Sequence, residues 1–256
     1  MEIEIDFTRS AQENADAYFK LSKKMKKKAE GAAVAIGDLK LKRSRITKKE
    51  PAAPAMRRIE EKKWYEKFNW FIASDGRLAI GGRSAMQNEQ INSKYFESGD
   101  LFFHADVFGA SVVVLKDGIN AGVGVKEEVA QFAACYSKAW ENAMASANVY
   151  ALRREQVSKS KEKGSLGTGS FLLEGEREWF KGVALELGAF IEEEGKKPLI
   201  IPVSTCIARR IREFVLLKPG NIKKSDAAKS IAKKFSFSDI DYVMQHLPPG
   251  SFSIKE

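Results

Sequence analysis

Two hydrophobic periodicities divide this chain of 256 residues. Between residues 7 and 36, apolar and small side chains recur at steps of three and four, which predicts one face of a long helix. From residue 63 onward, short apolar runs alternate with turn residues and helical stretches, which predicts strands interleaved with helices. We therefore expect an N-terminal helical arm followed by an α+β domain with a mixed, largely antiparallel sheet and packed helices.

The arm, residues 1–62, is predicted to be a helical hairpin of coiled-coil type. Its apolar seam is rich in alanine, so the two helices would pack closely while burying little area. Gly37 and Asp38 are expected to close the hairpin because these residue types favour helix ends and turns. Pro51 and Pro54 would then end the returning helix, since proline cannot continue one.

The globular part is predicted to be a succession of short strands and helices, delimited by turn residues and helix caps. The expected strands cover 68–73, 78–80, 101–105, 111–116, 149–152, 170–173, 183–191, 199–203 and 214–217. Five helices are expected. The first starts after the N-cap Ser84, the second covers 126–147, and the third covers 205–212 after the N-cap Ser204. The last two start after the N-caps Ser225 and Ser238. Met86, Ile91 and Tyr95 would form the buried side of the first of these helices.

The net charge of +9 is concentrated in one segment. Residues 18–63 contain 16 Lys and Arg against 5 Asp and Glu, so the rest of the chain is slightly acidic. The positive electrostatic field of such a segment attracts polyanions over long distances. The alternative is a solvated helix face that only keeps the chain soluble. The candidate anion contacts in the arm are Lys23, Lys24, Lys27 and Lys28.

Other features of the sequence exclude several classes of protein. No stretch of about 18 uncharged apolar residues is present to span a membrane, and the N-terminus lacks the basic and apolar regions of a secretory signal. Cys135 and Cys206 lie in apolar helical patterns without metal-ligand spacing, so both are expected to be buried, reduced thiols. We therefore expect a cytoplasmic protein without membrane contact, cofactor or bound metal.

A series of short motifs follows a fixed order from residue 63 to residue 175, beginning with KWYEKFNWFI and including GDLFFHAD. The motifs occupy 63–72, 74–76, 80–83, 87–89, 99–106, 109–111, 134–140, 156–159 and 168–171. Together they closely resemble the NFACT-R domain of the NFACT family, whose members are known as NEMF, RqcH or fibronectin-binding-protein-A-like proteins. Residues 10–15 resemble the opening of that family's coiled coil, and residues 218–220 and 247–250 resemble the tail of its archaeal form.

The resemblance implies an RNA-binding module of ribosome-associated quality control. Full-length members of the family bind the large ribosomal subunit carrying a stalled nascent chain and recruit tRNA for C-terminal tailing. We therefore expect residues 63–175 to form the NFACT-R core and residues 176–256 a C-terminal α/β extension, with tRNA, rRNA and the large subunit as partners. No NFACT-N domain precedes Met1, so we expect a binding role rather than independent tailing.

The turn at Gly82 and Arg83 is a candidate phosphate site. It precedes a predicted helix, where exposed backbone N–H groups and a guanidinium would bind phosphate. The alternative is a tight turn that needs glycine for a positive φ. Gln87 and Asn88 lie in the first turn of that helix and could bond to sugar or base edges, although Gln87 would instead complete a capping box with Ser84.

His104 and Asp106 lie two residues apart on a predicted strand, so their side chains should share one face. They could contact or orient RNA, belong to a structural polar network, or form an acid–base pair. Hydrolysis usually needs a metal or a nucleophile as well, and the sequence offers neither nearby, so no catalytic residue is assigned. The small residues Gly109, Ala110 and Ser111 next to them would permit the close approach of a backbone or a ligand.

A polar loop rich in Lys, Gly and Ser spans residues 158–169. Basic loops of this type often close over an RNA backbone, and the alternative is an ordinary solvated surface loop. The candidate contacts in and beside the loop are Gln156, Ser158, Lys159 and Thr168.

Three functions are compatible with these patterns. The first is an RNA-binding, ribosome-associated module, which the resemblance favours. The second is an adaptor whose coiled coil docks a protein partner. The third is an RNA hydrolase that uses His104 and Asp106.

Overall fold

The computed structural model divides the chain into two compact units, residues 1–61 and 62–256. The structure describes residues 6–8, 10–47, 63–159, 167–192 and 196–255.

The first unit contains one long helix, α1, over Ala11–Thr47. A reciprocal cap starts it: the Glu13 backbone N–H donates to the Ser10 hydroxyl oxygen at 3.3 Å, and the Ser10 backbone N–H donates to the Glu13 carboxylate at 2.8 Å. This capping box satisfies two of the N–H groups that a helix start leaves without partners. No described helix is both long and apolar enough to cross a membrane.

The predicted hairpin turn at Gly37 and Asp38 is wrong, because α1 continues through both residues to Thr47. A glycine in a helix interior costs only about 1 kcal/mol relative to alanine. The neighbouring alanine, leucine and lysine residues are good helix formers and offset that cost. Pro51 and Pro54 lie outside the described residues, and the coiled-coil pairing of α1 stays a prediction.

The second unit contains twelve strands and six helices among its described residues. The strands are β1 Asn69–Ile72, β2 Leu78–Gly81, β3 Leu101–Ala105, β4 Val113–Leu115, β5 Ser146–Arg153, β6 Val157–Ser158, β7 Leu172–Leu173, β8 Glu178–Ala184, β9 Leu187–Phe190, β10 Leu199–Pro202, β11 Val215–Lys223 and β12 Ser251–Lys255. The helices are α2 Ala85–Lys94, α3 Val123–Cys135, α4 Lys138–Glu141, α5 Val203–Ala208, α6 Lys224–Lys234 and α7 Ile240–His246.

The strands form two large sheets and a small one. The six-stranded sheet has the order β1-β2-β4-β3-β5-β8, the four-stranded sheet has the order β10-β9-β11-β12, and β6 pairs with β7. Every pair of neighbouring strands is antiparallel. The α+β class with a largely antiparallel sheet is therefore confirmed.

Helix α3 lies between the two large sheets and is buried on almost all sides. Nine of its 13 residues are buried, and a helix that is apolar all round is typical of such a central position. The main core cluster joins Phe103 of the six-stranded sheet, Phe132 of α3 and Leu217 of the four-stranded sheet. Cys135 and Cys206 are buried in this cluster as free thiols, as predicted.

A buried carboxylate on α3 ties three parts of the fold together. Glu128 accepts hydrogen bonds from the Ser74 backbone N–H at 2.9 Å, from the Ser74 hydroxyl, and from the Thr205 hydroxyl at 3.0 Å. Ser74 belongs to the β1–β2 turn and Thr205 to α5. Because charge-assisted hydrogen bonds are the strong ones, Glu128 fixes both elements to α3.

Gln131 makes a second polar connection from α3. Its amide N–H donates to the Ala184 carbonyl at 3.1 Å, and its amide oxygen accepts from the Ser204 backbone N–H and hydroxyl, each at 2.8 Å. Ser204 was predicted as an N-cap, which is wrong: Pro202 holds the N-cap position of α5. The Ser204 hydroxyl bonds to Gln131 instead.

The structure corrects several other element boundaries. The predicted helix over 126–147 divides into α3 and α4 because the Ser137 hydroxyl caps a new helix, accepting from the Ala139 N–H at 3.1 Å. The predicted strand over 183–191 divides into β8 and β9. Met86 is 77% exposed, whereas it was predicted to be buried; Ile91 is buried as predicted.

The N-caps predicted for the last two helices are also wrong. Helix α6 has Lys223 rather than Ser225 at its N-cap position. Helix α7 has Asp239 rather than Ser238, because the Asp239 carboxylate accepts from the Tyr242 N–H at 3.0 Å. Strand β12 was not predicted at all.

Replacing Glu128 with alanine should lower the free energy of unfolding by about 3 kcal/mol, because the buried Thr205 hydroxyl loses its acceptor and Ser74 loses the bonds that hold the β1–β2 turn to α3. Urea unfolding would measure the change. The neighbouring Glu127 is exposed and provides the control, where the alanine variant should change stability by about 0.5 kcal/mol or less. Equal effects at the two positions would contradict the role given to Glu128.

Candidate nucleic-acid interface

The loop between β2 and α2 depends on a glycine for steric reasons. A Cβ on Gly82 would lie 2.0 Å from the Asn88 Oδ1 atom and 2.9 Å from the Asn88 backbone nitrogen. Gly82 is not among the described glycines with a positive φ, so the predicted alternative explanation, a left-handed turn, is wrong. The Gly82 N–H also donates to the Val112 carbonyl at 3.0 Å, which fixes the loop to the strand region beside it.

The amide side chains after this loop have partners inside the protein. Asn88 is buried, and its Oδ1 accepts from the Val112 N–H at 3.3 Å. The Gln87 Oε1 accepts from the Arg83 N–H at 2.9 Å, and its Nε2 donates to the Lys67 carbonyl at 3.1 Å. Ser84 caps α2 as predicted, but the capping box is not completed, because the Gln87 side chain accepts from the Arg83 N–H rather than from the Ser84 N–H. Contact of Gln87 and Asn88 with base edges stays a prediction.

Arg83 is held by two hydrogen bonds that leave it available to an anion. Its Nε donates to the Asn69 Oδ1 at 3.0 Å, and one Nη donates to the Phe68 carbonyl at 2.8 Å. These bonds orient the guanidinium and use only part of its N–H donors. Among the described residues, no carboxylate forms an ion pair with Arg83. Burial lowers the pKa of the guanidinium, although it stays charged at neutral pH.

Arg83 opens onto a cleft of about 570 Å³. One side comes from the loops around the six-stranded sheet, and the other side comes from α6, α7 and the segment after α7. The lining residues are Asn69, Gly82, Arg83, Ser111, Tyr136, Lys224, Asp241, Met244, Gln245, Leu247 and Pro249. Three predicted contact residues, Gly82, Arg83 and Ser111, are thus brought together at one site.

Lys224 is the second cation of the cleft, and the sequence analysis missed it. Its Nζ donates to the Leu247 carbonyl at 2.8 Å. Burial lowers its pKa, and the positive charge of Arg83 lowers it further. Asp241 also lines the cleft but forms no described ion pair with either cation. Two partly desolvated like charges without a carboxylate partner are costly, and a bound anion would stabilise both.

His104 belongs to a polar network on the sheet. It faces Tyr150 across β3 and β5, and its Nδ1 lies 3.2 Å from the Tyr150 hydroxyl, which donates to it. Its Nε2 lies 3.2 Å from the Ala110 carbonyl, which can only accept, so the proton is on Nε2. Burial lowers the pKa of His104 and favours the neutral imidazole. This geometry fits the predicted structural alternative.

Asp106 does not form the acid–base pair that its spacing from His104 suggested. Strand β3 ends at Ala105, and Asp106 is exposed, with its backbone N–H donating to the Asn148 carbonyl at 2.8 Å. Both imidazole nitrogens of His104 have other partners. Asp106 acts on His104 only through its charge, which opposes the effect of burial on the pKa.

The predicted contacts near the polar loop are distributed over its two ends. The Gln156 amide donates to the carbonyls of Glu174 and Glu176 at 3.1 and 2.7 Å, so it fastens the segment that leads to β8. Ser158 lies in β6 and is half-buried.

Beside that segment, Lys159 forms an ion pair with Glu89 of α2, whose carboxylate also accepts from the Gly169 N–H at 3.3 Å. Thr168 is exposed, and residues 160–166 lie outside the described chain.

The arm lysines belong to the other unit. Lys23, Lys24 and Lys28 are exposed on α1, whereas the Lys27 side chain is outside the described part of the helix. An RNA contact by any of the predicted residues stays a prediction.

Comparison with known proteins agrees with the sequence motifs. Residues 67–175 match the family described as the NFACT protein RNA binding domain. Over 200 residues the chain is 36% identical to "Archaeal Rqc2 homolog aRqcH" of Methanocaldococcus jannaschii, covering 76% of this chain and 30% of that protein. It is 32% identical over 185 residues to the human "Ribosome quality control complex subunit NEMF", covering 70% of this chain and 17% of that protein.

The chain therefore spans less than a third of the length of these curated relatives. Among solved structures, it is similar to the C-terminal part of the fibronectin/fibrinogen-binding protein from Streptococcus suis, with 21% identity and a TM-score of 0.40. That similarity covers 71% of this chain and 78% of the other.

The stability of the protein should fall as the pH drops below about 6.5, the ordinary pKa of histidine. The pKa values of His104 and His246 are both lowered by burial, so in this range the unfolded chain binds protons more readily than the folded one. The lost stability is regained as the pH rises through the same range. Urea unfolding at about pH 7 and about pH 5 would measure the difference.

A His104→Gln variant should lose less stability between the two pH values than the natural chain, because of the two histidines only His246 still contributes. Glutamine can still donate an N–H toward the Ala110 carbonyl that His104 bonds. The same pH-dependent loss in both proteins would show that His104 is not held neutral by its burial.

Proposed function

This chain belongs to the NFACT family, and we propose that it acts as an RNA-binding module of a ribosome-associated quality control factor. In this proposal, the module contacts tRNA, large-subunit rRNA or both on stalled ribosomes in the cytoplasm. Residues 63–175 would form the NFACT-R core, residues 176–256 its C-terminal extension, and residues 1–62 a basic arm. The names of the archaeal and human relatives, both linked to ribosome quality control, support this assignment.

The observation that carries the proposal is the pair of cations in the cleft. Arg83 and Lys224 line the same surface, repel one another, and have no carboxylate partner among the described residues. A phosphate group would accept hydrogen bonds from the N–H donors that both side chains still have available. RNA presents such groups at every nucleotide, and backbone contacts of this kind position a protein on nucleic acid.

The arm supplies a second, longer-range attraction. Its exposed lysines, including Lys23, Lys24 and Lys28, would raise the local concentration of RNA and strengthen binding at low salt. Affinity would then divide into a diffuse contribution from the arm and a site-specific contribution from the cleft.

The alternative function is an adaptor that docks a protein partner through α1, and the exposed apolar side chains of this helix support it. Helix α1 exposes large apolar side chains on one face, with Leu21, Met25 and Ile36 exposed by 48%, 59% and 54%. An exposed apolar stripe on a helix can dock a protein partner. RNA hydrolysis has no comparable support, because both nitrogens of His104 are engaged within the protein.

The cleft is tested by Lys224→Gln, with Lys229→Gln as a matched control. Both variants remove one positive charge from α6, but Lys229 is exposed and paired with Asp226 at 3.1 Å. RNA affinity measured against salt should give a slope of log K on log salt that is smaller by about 0.7 to 0.9 for Lys224→Gln. The control should keep the slope of the natural chain. Equal slopes for all three proteins would contradict phosphate binding at Lys224.

The arm is tested by reversing the charges of Lys23, Lys24 and Lys28 to glutamate. These side chains are exposed, so the fold should be unaffected. The affinity for tRNA at low salt should fall by about tenfold or more, and the loss should shrink as salt screens the charges. Unchanged affinity at low salt would show that the arm does not contribute, while a loss that is independent of salt would indicate a different mechanism.

A further inference from the structure

An aromatic pair lies at the start of the second unit. The Trp64 ring is stacked on the Tyr95 ring, with centroids 4.6 Å apart and planes inclined by 11°. Trp64 is 47% exposed, so much of its surface remains open to solvent. The two rings, Trp64 and Tyr95, are called the aromatic shelf below.

Neighbouring side chains hold the two rings of the aromatic shelf in place. Tyr65 meets Trp64 edge-on at 5.6 Å, and the buried Phe68 meets Tyr95 edge-on at 5.5 Å. The Lys67 Nζ donates to the Tyr95 hydroxyl at 2.9 Å and lies 5.0 Å from the centre of that ring. Edge-on contacts and a cation over the ring are the favourable geometries for aromatic groups, so Tyr95 has a fixed orientation.

Two other tryptophans of the described chain, Trp140 and Trp179, show what is particular about Trp64. Trp140 is 1% exposed and belongs to the core, with its Nε1 donating to the Ser251 carbonyl at 3.1 Å. Trp179 is 43% exposed, but it packs edge-on against Tyr150, and the Arg177 guanidinium lies 5.9 Å from its ring. Trp64 combines similar exposure with a flat ring stacked on a second one.

Cations surround the aromatic shelf. Lys63 and Lys67 are exposed on either side of Trp64 in the sequence, and Lys94 is exposed next to Tyr95. The nearest described carboxylates along the chain are Glu66, which accepts from the Lys63 backbone N–H at 3.3 Å, and Glu97, which is paired with Lys116 at 2.8 Å. Aromatic faces interleaved with cations suit single-stranded nucleic acid, whose bases stack while its phosphates are neutralised.

The aromatic shelf is connected to the cleft by hydrogen bonds. Arg83 donates to the carbonyl of Phe68, and Gln87 donates to the carbonyl of Lys67. The same Gln87 side chain accepts from the Arg83 N–H. The turn that carries Trp64 and the loop that carries Arg83 are therefore held as one rigid piece, which suits two contacts along a single RNA strand.

From this geometry, we infer that the aromatic shelf binds an unpaired RNA base, which stacks on the open face of Trp64. The inference rests on the proposed function and specifies it, because a base inside a duplex has no free face to offer. The module would then prefer single-stranded RNA, such as a loop or a tRNA end, over a continuous duplex of equal charge.

The test compares a labelled single-stranded RNA of about ten adenosines with a duplex of equal length, using the full chain. Trp64→Ala should weaken binding of the single strand by about tenfold and leave duplex binding within about twofold. Trp64→Phe should restore most of the affinity, since phenylalanine keeps a stacking face. Trp179→Ala, which removes the other half-exposed tryptophan, should bind the single strand like the natural chain.

The possible results distinguish failure of the base-stacking inference from failure of the proposed function. If Trp64→Ala binds both RNAs like the natural chain while Lys224→Gln shows the expected smaller salt slope, the aromatic shelf is rejected and the proposed function stands. If Trp64→Ala weakens both RNAs equally, the role of Trp64 is structural and the inference is again overturned. If the natural chain binds neither RNA at low salt, the proposed function and the aromatic shelf are both rejected.

Discussion

Burial of α3 between two antiparallel sheets is the constraint on which the rest of the second unit depends. Nine of its 13 residues are buried, so neither sheet alone could remove the helix from water. Glu128 and Gln131 are its buried polar residues, and each bonds to elements on more than one side of the helix. Once α3 is fixed, α6 and α7 pack on the four-stranded sheet and reach the loop of Arg83.

The two cations of the cleft differ from other partly buried cations of the fold because they have no carboxylate partner among the described residues. Lys116 is partly buried and paired with Asp100 at 2.6 Å, and Lys126 is paired with Glu178 at 3.0 Å. These cations are neutralised within the fold, as is usual when charge is withdrawn from water. Arg83 and Lys224 have carbonyl and amide partners instead. Such partners orient a cation without cancelling its charge, which leaves the charge for an external anion.

The sequence predicted some local features correctly, although the turn at Gly37 and three of the helix caps were wrong, and it predicted long-range contacts poorly. The β1–β2 hairpin, the cap at Ser84 and the buried thiols follow from short patterns that neighbouring residues impose. Lys224 is far from Arg83 in the chain, and no local pattern could indicate that the two share a cleft. Likewise, the partners of Asn88 and of the Gln87 amide nitrogen lie in other segments, so the sequence could not show that these groups bond within the protein.

The pairing of β8 with β5 has a consequence for how the molecule folds. The family match ends at residue 175, yet β8 begins at Glu178 and completes the six-stranded sheet. A chain ending at residue 175 would leave β5 as an open edge and would expose the side of α3 that faces the four-stranded sheet. The compact unit is therefore longer than the recognisable motif, because the C-terminal strands complete the six-stranded sheet and cover α3.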